Sequence, residues 1–114
     1  MGQCLFCEIA AGNIPCTEVF SDDEILAFRD INPQGPVHIL VIPRRHIPGM
    51  TDLAATDSPL LGRLLVATAQ IAADEGLDPD GYRCVINSGV HGCQSVDHLH
   101  LHLIGGRQLD WPPG

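Results

Sequence analysis

The stretch VDHLHLHLI, residues 96–104, alternates polar with apolar residues almost strictly. An alternation with a period of two predicts a β-strand with one buried face. A slip of this strand by one residue would exchange its two faces, so burial of the leucines fixes the register. We therefore predict a strand over 96–104 that presents His98, His100 and His102 on one face and buries Leu99, Leu101 and Leu103 on the other.

The rest of the chain predicts further strands and two helices. Ser58 is expected as the N-cap of a long helix, with Pro59 as its first residue, and Gly76 marks its end. Because strands outnumber helices and short connections favour antiparallel pairing, the sequence indicates an α+β fold. The predicted elements are a short helix at 4–11, a hairpin formed by 18–20 and 25–28, a buried central strand at 37–42, the long helix, and a strand at 82–86.

The chain is acidic, with 14 Asp and Glu residues against 6 basic residues and a formal net charge of −8. This charge argues against binding to nucleic acid or to anionic membranes, so a phosphate ligand must be held by a local site. Its 114 residues suit one domain, 1–114, and no stretch reaches the ~18 apolar residues of a membrane span. With no export signal, its five cysteines predict reduced thiols and a cytoplasmic protein.

A row of three imidazoles points to catalysis by the central one, His100. Neutral imidazole is a good nucleophile near pH 7. The preceding loop, 87–95, is rich in glycine and short polar side chains, which can surround a phosphate. A metal site on the histidines is an alternative, although the outer two are far apart for one ion. A solvated strand face and an ordinary tight loop are the plainer alternatives.

The motif His98-Leu-His100-Leu-His102-Leu-Ile104 matches the signature of the histidine-triad (HIT) nucleotide-binding proteins. The chain as a whole resembles their Hint branch. Two upstream segments are also similar, FRDINPQGPVH at 28–38 and VIPRRHI at 41–47, and the ending GGRQLDWPPG at 105–114 is the most branch-specific piece. The resemblance covers nearly the whole chain.

This resemblance implies a homodimer in which two five-stranded antiparallel sheets, each with one long and one short helix, join into a ten-stranded sheet. It implies a hydrolase that cleaves the P–N bond of purine nucleoside phosphoramidates, such as adenosine 5′-monophosphoramidate, and that binds AMP and GMP. His100 would attack phosphorus and carry the nucleotidyl group, and His38 would join His102 in a hydrogen-bond network. No organic cofactor is expected, and the choice between adenine and guanine stays open.

The resemblance also implies the binding residues. Asp30 would bind the ribose hydroxyls, although a plain turn residue explains it equally well. Asn87 and Ser95, with backbone amides near Cys93, would hold the phosphate and assist the leaving amine. Cys93 departs from the Hint pattern, which usually has glycine there, and its side chain is expected to alter the turn or crowd the phosphate. The base pocket would consist of Leu5, Phe6, Ile9, Phe28 and Ile31, for which core packing is the alternative.

The last two predictions concern a zinc site and the C-terminal residue Trp111. Cys4 and Cys7 resemble half of a zinc site of some bacterial HIT proteins, and the matching partner ligands are His46 and His98. Two thiolates and two imidazoles would make a closed, structural site; the alternative is two small buried side chains on a helix. Trp111 is expected against the partner subunit near its nucleotide site, or else in a frayed terminus.

Four functions remain open at this point, of which a zinc-only structural module comes last because it would leave Asp30, Asn87 and Ser95 without a role. The leading one is a nucleoside phosphoramidase. A dinucleoside polyphosphate hydrolase of the same superfamily is the second, and the C-terminal segment disfavours it. The third is a nucleotide-binding adaptor with weak residual hydrolysis.

Overall fold

Five strands form one antiparallel sheet within residues 4–114, the part of the chain that the computed structural model describes. The strands are β1 (Glu18–Ser21), β2 (Ile25–Arg29), β3 (Val37–Pro43), β4 (Tyr82–Val85) and β5 (Leu101–Gly105), in the spatial order β1-β2-β3-β5-β4. A short helix, α1 (Leu5–Ala10), precedes the sheet, and a long helix, α2 (Ser58–Asp74), lies between β3 and β4 in the chain. The predicted α+β class is confirmed, as are the hairpin and the central position of the strand at 37–42.

The two faces of the sheet have different partners. On one face, alternate residues of β2, β3 and β5 pack against α2, and this main core includes Ile39, Val41 and Leu64. On the other face, Phe6 of α1 packs against Leu40 and neighbouring side chains of β2 and β3. Because side chains alternate along β3, His38 shares the α1 face with Leu40. No helix in the range 4–114 is long and apolar enough to cross a bilayer.

The long helix begins one residue earlier than predicted. Asp57, rather than Ser58, occupies the N-cap position, and Ser58 is the first helical residue. The Asp57 carboxylate accepts a hydrogen bond from the Ala54 N–H at 2.9 Å and pairs with Arg45, so it belongs to the turn that leads into the helix. The predicted end is confirmed, since Gly76 follows the helix with a φ of +75°.

The predicted strand over 96–104 is wrong in its first half, because the regular strand begins only at Leu101. The His98 N–H donates to the Val96 carbonyl at 2.8 Å, which makes a tight turn. The Leu99 N–H then donates to the Ile47 carbonyl at 2.7 Å, outside the sheet. The side chains nevertheless alternate between two faces as predicted. Leu99, Leu101 and Leu103 are buried on the face away from α1. His98 and His100 lie on the α1 side, where Phe6 contacts both rings.

Candidate nucleotide site and metal centre

A cavity of about 250 Å³ lies between α1, the segment that follows it, and the histidine face of the sheet. It brings together nine of the predicted site residues: Leu5, Phe6, Ile9, Phe28, Asp30, Ile31, Ser95, His100 and His102. The sequence analysis missed Ile14, Pro15, Cys16, Arg29, Leu40 and Val96, which complete its wall. A larger depression of about 570 Å³ lies beside the C-terminal segment, but histidine, cysteine and serine are missing from its lining.

The orientation of His100 leaves one ring nitrogen free in this cavity. Its Nδ1 lies 2.6 Å from the carbonyl oxygen of His98, which accepts only, so Nδ1 carries the proton and donates it. Nε2 of neutral His100 therefore holds a lone pair. The ring is 4% exposed and meets the Phe6 ring edge-on, with centroids 5.1 Å apart. A buried imidazole in one fixed tautomer is suited to nucleophilic attack through Nε2.

A chain of hydrogen bonds also fixes the tautomers of two further histidines, His38 and His102. The Gln34 backbone N–H donates to His38 Nδ1 at 2.9 Å, so the proton of neutral His38 is on Nε2. His38 Nε2 lies 2.9 Å from His102 Nδ1 and donates to it. The remaining proton of neutral His102 is then on its Nε2, and the ring centroids of His102 and His100 lie 4.9 Å apart. Asp30 Oδ2, at 3.4 Å from His38 Nε2, lies beside this chain.

Burial keeps both of these imidazoles neutral at physiological pH. It lowers the pKa of His102 to about 4, with the neighbouring His100 and His38 adding to the effect. Burial also lowers the pKa of His38, against the opposing effect of Asp30. Asp30, His38 and His102 offer donor atoms within 4.8 Å of one another, as a metal site would. The proton that Gln34 forces onto His38 Nε2 occupies the required lone pair, so this trio is a hydrogen-bonded relay rather than a metal site.

The loop before β5 folds around Gln94, a residue that the sequence analysis did not single out. Its side chain accepts from the Gly89 N–H at 3.1 Å and donates to the Pro48 carbonyl at 2.8 Å. Gly92 packs so closely on Ser88 that a Cβ would lie 2.6 Å from the Ser88 carbonyl oxygen. A glutamine between two polar neighbours gives no periodic signal, which is why sequence reasoning passed over it.

Three predicted nucleotide-binding residues stand outside the cavity lining. Asn87 is half-buried just beyond β4, and Cys93 is exposed. Cys93 has a φ of +63°, so it keeps a left-handed backbone that glycine adopts without strain. Cys93 thus keeps a backbone conformation of the glycine type, and crowding of the phosphate by its side chain stays a prediction. Trp111 is 81% exposed, and the Arg83 guanidinium lies 5.9 Å from its ring centroid.

The four predicted metal ligands, Cys4, Cys7, His46 and His98, form one cluster with donor atoms all within 4.8 Å. His98 Nδ1 lies 3.3 Å from Cys4 Sγ, 3.5 Å from Cys7 Sγ and 3.3 Å from His46 Nδ1. Tetrahedral zinc, with bonds of about 2.0–2.3 Å, separates its ligand atoms by about 3.3–3.8 Å. The spacing and the chemistry of this donor set therefore fit a closed tetrahedral zinc site.

The hydrogen bonds around the cluster also suit a cation. His98 Nε2 donates to the Pro43 carbonyl at 2.7 Å, which leaves Nδ1 as the ligand atom. The Cys7 N–H points at Cys4 Sγ at 3.4 Å. Burial raises the pKa of the Cys7 thiol to about 11, and the hydrogen bond and charge of Cys4 add to this. A bound cation would displace these thiol protons, so metal binding would release protons.

His98 joins the two sites. Its ring belongs to the metal cluster, and its backbone carbonyl holds the His100 ring at 2.6 Å. Cys4 is the N-cap of α1, and the helix supplies Leu5, Phe6 and Ile9 to the cavity wall. The four predicted ligands are therefore connected through His98 to the group that orients the central histidine, and through Cys4 to one wall of the cavity.

Comparison with known proteins identifies the family. A family model described as "Scavenger mRNA decapping enzyme C-term binding" matches residues 3–109. The 14 kDa zinc-binding protein of Brassica juncea is 54% identical over 113 residues, which cover 96% of this chain and 98% of the relative. Adenylylsulfatase HINT1 of Arabidopsis thaliana is also 54% identical, over 96% of this chain and 76% of its own length.

The solved structures agree with these relatives. A HIT family hydrolase from Legionella pneumophila superposes with a TM-score of 0.97 at 54% identity, covering 98% of this chain and 100% of that one. A histidine triad protein from Clostridium difficile superposes with a TM-score of 0.91 at 40% identity, covering 96% and 97%. Because both the sequence and the fold match over nearly the whole chain, this protein belongs to the histidine-triad superfamily and, within it, to the Hint branch.

Proposed function

We propose that this chain hydrolyses the P–N bond of purine nucleoside 5′-phosphoramidates, with His100 as the nucleophile. The 2.6 Å hydrogen bond from His100 Nδ1 to the His98 carbonyl carries this proposal, because it leaves a buried, unprotonated Nε2 at the cavity. The names of the relatives, a HIT family hydrolase and an adenylylsulfatase, support hydrolysis of a nucleotide.

The reaction would proceed in two displacements. His100 Nε2 attacks phosphorus, the P–N bond to the amine breaks, and the departing nitrogen takes a proton, for which the Ser95 hydroxyl at the cavity wall is the proposed donor. The nucleotidyl group is then attached to His100 through a new P–N bond. Water attacks the same phosphorus and gives its proton back to the Ser95 oxygen, the bond from phosphorus to His100 Nε2 breaks, and the products are the nucleoside monophosphate, neutral His100 and the Ser95 hydroxyl. His102 Nε2–H, held in place by His38, would donate a hydrogen bond to the phosphoryl group in both steps.

The same cavity would bind the nucleoside. We propose that the Asp30 carboxylate accepts the two ribose hydroxyls and that Leu5, Phe6, Ile9, Phe28 and Ile31 hold the purine. Ile31 is fully exposed in the structure, so a base would cover an apolar side chain that is otherwise in water. Asn87 and backbone amides near Cys93 and Ser95 are proposed to hold the phosphate. These are neutral donors, which suits an anionic substrate on a chain with a net charge of −8.

One observation favours a second substrate. The Arabidopsis relative is named an adenylylsulfatase, and it shares 54% of its residues with this chain over the aligned region. In adenosine 5′-phosphosulfate, sulfate would leave in place of the amine, and His100 would attack the same phosphorus. Sulfate leaves as an anion without a proton, so this reaction would depend less on Ser95.

The test is steady-state hydrolysis of an adenosine phosphoramidate that releases a fluorescent amine, beside adenosine 5′-phosphosulfate and a diadenosine polyphosphate. We expect His100→Ala to lose at least about 10³-fold in kcat while AMP still binds. His91→Ala is the matched control, because His91 belongs neither to the four predicted metal ligands nor to the group of His38, His100 and His102. Rapid quenching of wild type should give a protein heavier by one adenylyl group.

Each outcome decides between the functions. Turnover of diadenosine polyphosphate alone would favour the dinucleoside polyphosphate hydrolase. Tight AMP binding with no turnover of any substrate would favour an adaptor. Full activity of His100→Ala would show that His100 is not the nucleophile.

We further propose that zinc occupies the Cys4, Cys7, His46 and His98 cluster and that the chain forms a homodimer through β4. β4 lies at the edge of the sheet, so its outer side has no partner strand among residues 4–114. β1, at the other edge, begins with Glu18 and is followed by Asp22 and Asp23, which would repel a second acidic chain. Pairing of β4 with its copy would give a sheet of ten strands.

A further inference from the structure

We propose that Arg107 is a positioning residue for the histidine relay, acting through the backbone of Gln34. Two nitrogens of the Arg107 guanidinium donate to the Gln34 carbonyl, Nη2 at 2.8 Å and Nε at 3.3 Å. The Gln34 N–H, in turn, donates to His38 Nδ1 at 2.9 Å. The guanidinium therefore clamps the residue whose amide sets the tautomer of His38. This inference rests on the proposed function, in which His38 orients His102.

The fold explains why Arg107 reaches this turn. β5 pairs with β3, with Gly105 opposite Val37 and His102 opposite Leu40, so the chain beyond β5 passes the turn that precedes β3. Close backbone packing brings the two segments together: a Cβ on Gly106 would lie 2.8 Å from Pro36 Cβ. Gly106 also has a φ of +92°, which directs the chain toward Gln34 and which only glycine adopts easily.

A backbone hydrogen bond from the Asp30 N–H to the His38 carbonyl, at 2.9 Å, closes the base of this turn. Its remaining side-chain hydrogen bonds come from the turn itself: the Asn32 N–H donates to Asp30 Oδ1 at 2.8 Å, and the Gln34 side chain donates to the Asn32 carbonyl at 3.0 Å. Asn32, Gln34 and Arg107 are all exposed, so water competes with each of these hydrogen bonds. A guanidinium that makes two charge-assisted bonds to one carbonyl is the stronger restraint.

The consequence concerns which nitrogen of His38 carries the proton. While Gln34 N–H faces Nδ1, neutral His38 must be protonated on Nε2, and His102 must accept at Nδ1. If Gln34 moves away, Nδ1 of His38 can be protonated instead. His102 Nε2 would then lose its assured proton and its role as a donor to the phosphoryl group. Catalysis would fall although no residue in the cavity has changed.

The experiment compares Arg107→Ala and Arg107→Lys with Arg63→Ala. Lysine keeps the charge and one donor, and Arg63 is an exposed arginine of α2 that pairs with Glu24, far from the relay in the chain. The first readout is the ring ¹⁵N spectrum of His38 in the ligand-free protein, which separates the two tautomers. The second is the division of any loss between kcat and KM.

We expect wild type and Arg63→Ala to show His38 protonated on Nε2 only, and Arg107→Ala to show a mixture. For Arg107→Ala, kcat should fall about tenfold with KM within about twofold, because the substrate contacts are intact. Arg107→Lys should lie between the two and serves alone if the alanine variant fails to fold. Unchanged His38 tautomers in the Arg107 variants would overturn the proposal. The spectrum needs no substrate, so it decides the role of Arg107 even if His100 is not the nucleophile.

Discussion

At Cys93 the backbone has a φ of +63°, the one positive φ among the non-glycine residues at 4–114. A side chain costs about 1–2 kcal/mol in this left-handed region, whereas glycine adopts it freely. Glycine also loses more entropy on folding, so the net gain is smaller. We expect Cys93→Gly to raise the free energy of unfolding by about 0.5–1 kcal/mol in urea titrations. Cys16→Gly, at a residue without positive φ, should lower it, and an equal effect of both variants would contradict this account.

His102 gives the stability of the fold a pH dependence. Burial lowers its pKa to about 4 in the folded protein, against 6.5 for an ordinary histidine. Between these values the unfolded chain binds a proton that the folded chain does not. Stability is therefore complete above about pH 6.5 and is lost as the pH falls toward 4.

We expect a loss of about 1 kcal/mol between pH 7 and pH 5 from this residue, after allowing for solvent screening. The measurement is urea unfolding at both pH values for wild type and His102→Gln. The variant should lose about that much less than wild type. The same loss in both proteins would assign the pH dependence to other groups.

At the level of helices and strands, the sequence correctly predicted the elements that follow from the local pattern of apolar and polar residues. The hairpin of β1 and β2 and the buried strand β3 follow from alternating or continuous apolar residues bounded by turn residues. The strand over 96–104 failed in its first half because the Leu99 N–H bonds to the Ile47 carbonyl, a contact between distant segments that alternation does not encode. Likewise, the N-cap Asp57 pairs with Arg45, twelve residues earlier, and this contact is not part of the local signal that favoured Ser58.

The residues of the candidate site also fall into two groups: those that stand in sequence motifs, and those whose place depends on how distant segments pack. His100, His102, Asp30 and the apolar residues of α1 stand in recognisable motifs, and the structure brings them to one cavity. Ile14, Pro15 and Cys16 follow α1 in an irregular segment, so their place in the wall depends on how α1 docks. The tautomers depend on a backbone amide, that of Gln34, and no sequence motif specifies a backbone amide.

The element α1 should depend on the metal. The helix has only six residues, too few to be stable alone, and two of its anchors are Cys4 and Cys7. Without zinc we expect α1 to loosen and its three cavity residues to leave the wall. Cys7→Ser should therefore bind less than one zinc per chain, melt lower than wild type, and bind AMP about tenfold more weakly.

Metal content, melting temperature and AMP titration of protein purified without chelator test this expectation. Cys84→Ser is the matched control, because Cys84 lies on β4 outside the cluster, and it should keep its zinc. Wild type free of zinc, or AMP affinity that is unchanged when zinc is lost, would contradict the proposed link between the two sites.

At the scale of the whole molecule, the outer face of α2 carries an exposed apolar stripe that the proposed dimer would cover. Residues at helical spacing on this exposed face are apolar or small: Gly62, Leu65, Val66, Ala69 and Ala73. Leu65 and Val66 are 53% and 71% exposed, which is unusual for large apolar side chains on a helix whose opposite face is already buried. A second copy paired along β4 would cover this stripe, and burial of apolar surface would stabilise the dimer.

We expect light scattering to give twice the chain mass of 12.2 kDa for wild type. Val66→Glu would place an unpaired carboxylate in the interface and should weaken the dimer about tenfold or more. The side chain is exposed in the single chain, so its fold should be unaffected. Gln70→Glu adds the same charge on the polar flank of α2, beside Asp74, and should leave the dimer intact. A monomeric wild type, or equal weakening by both variants, would reject this surface as the interface.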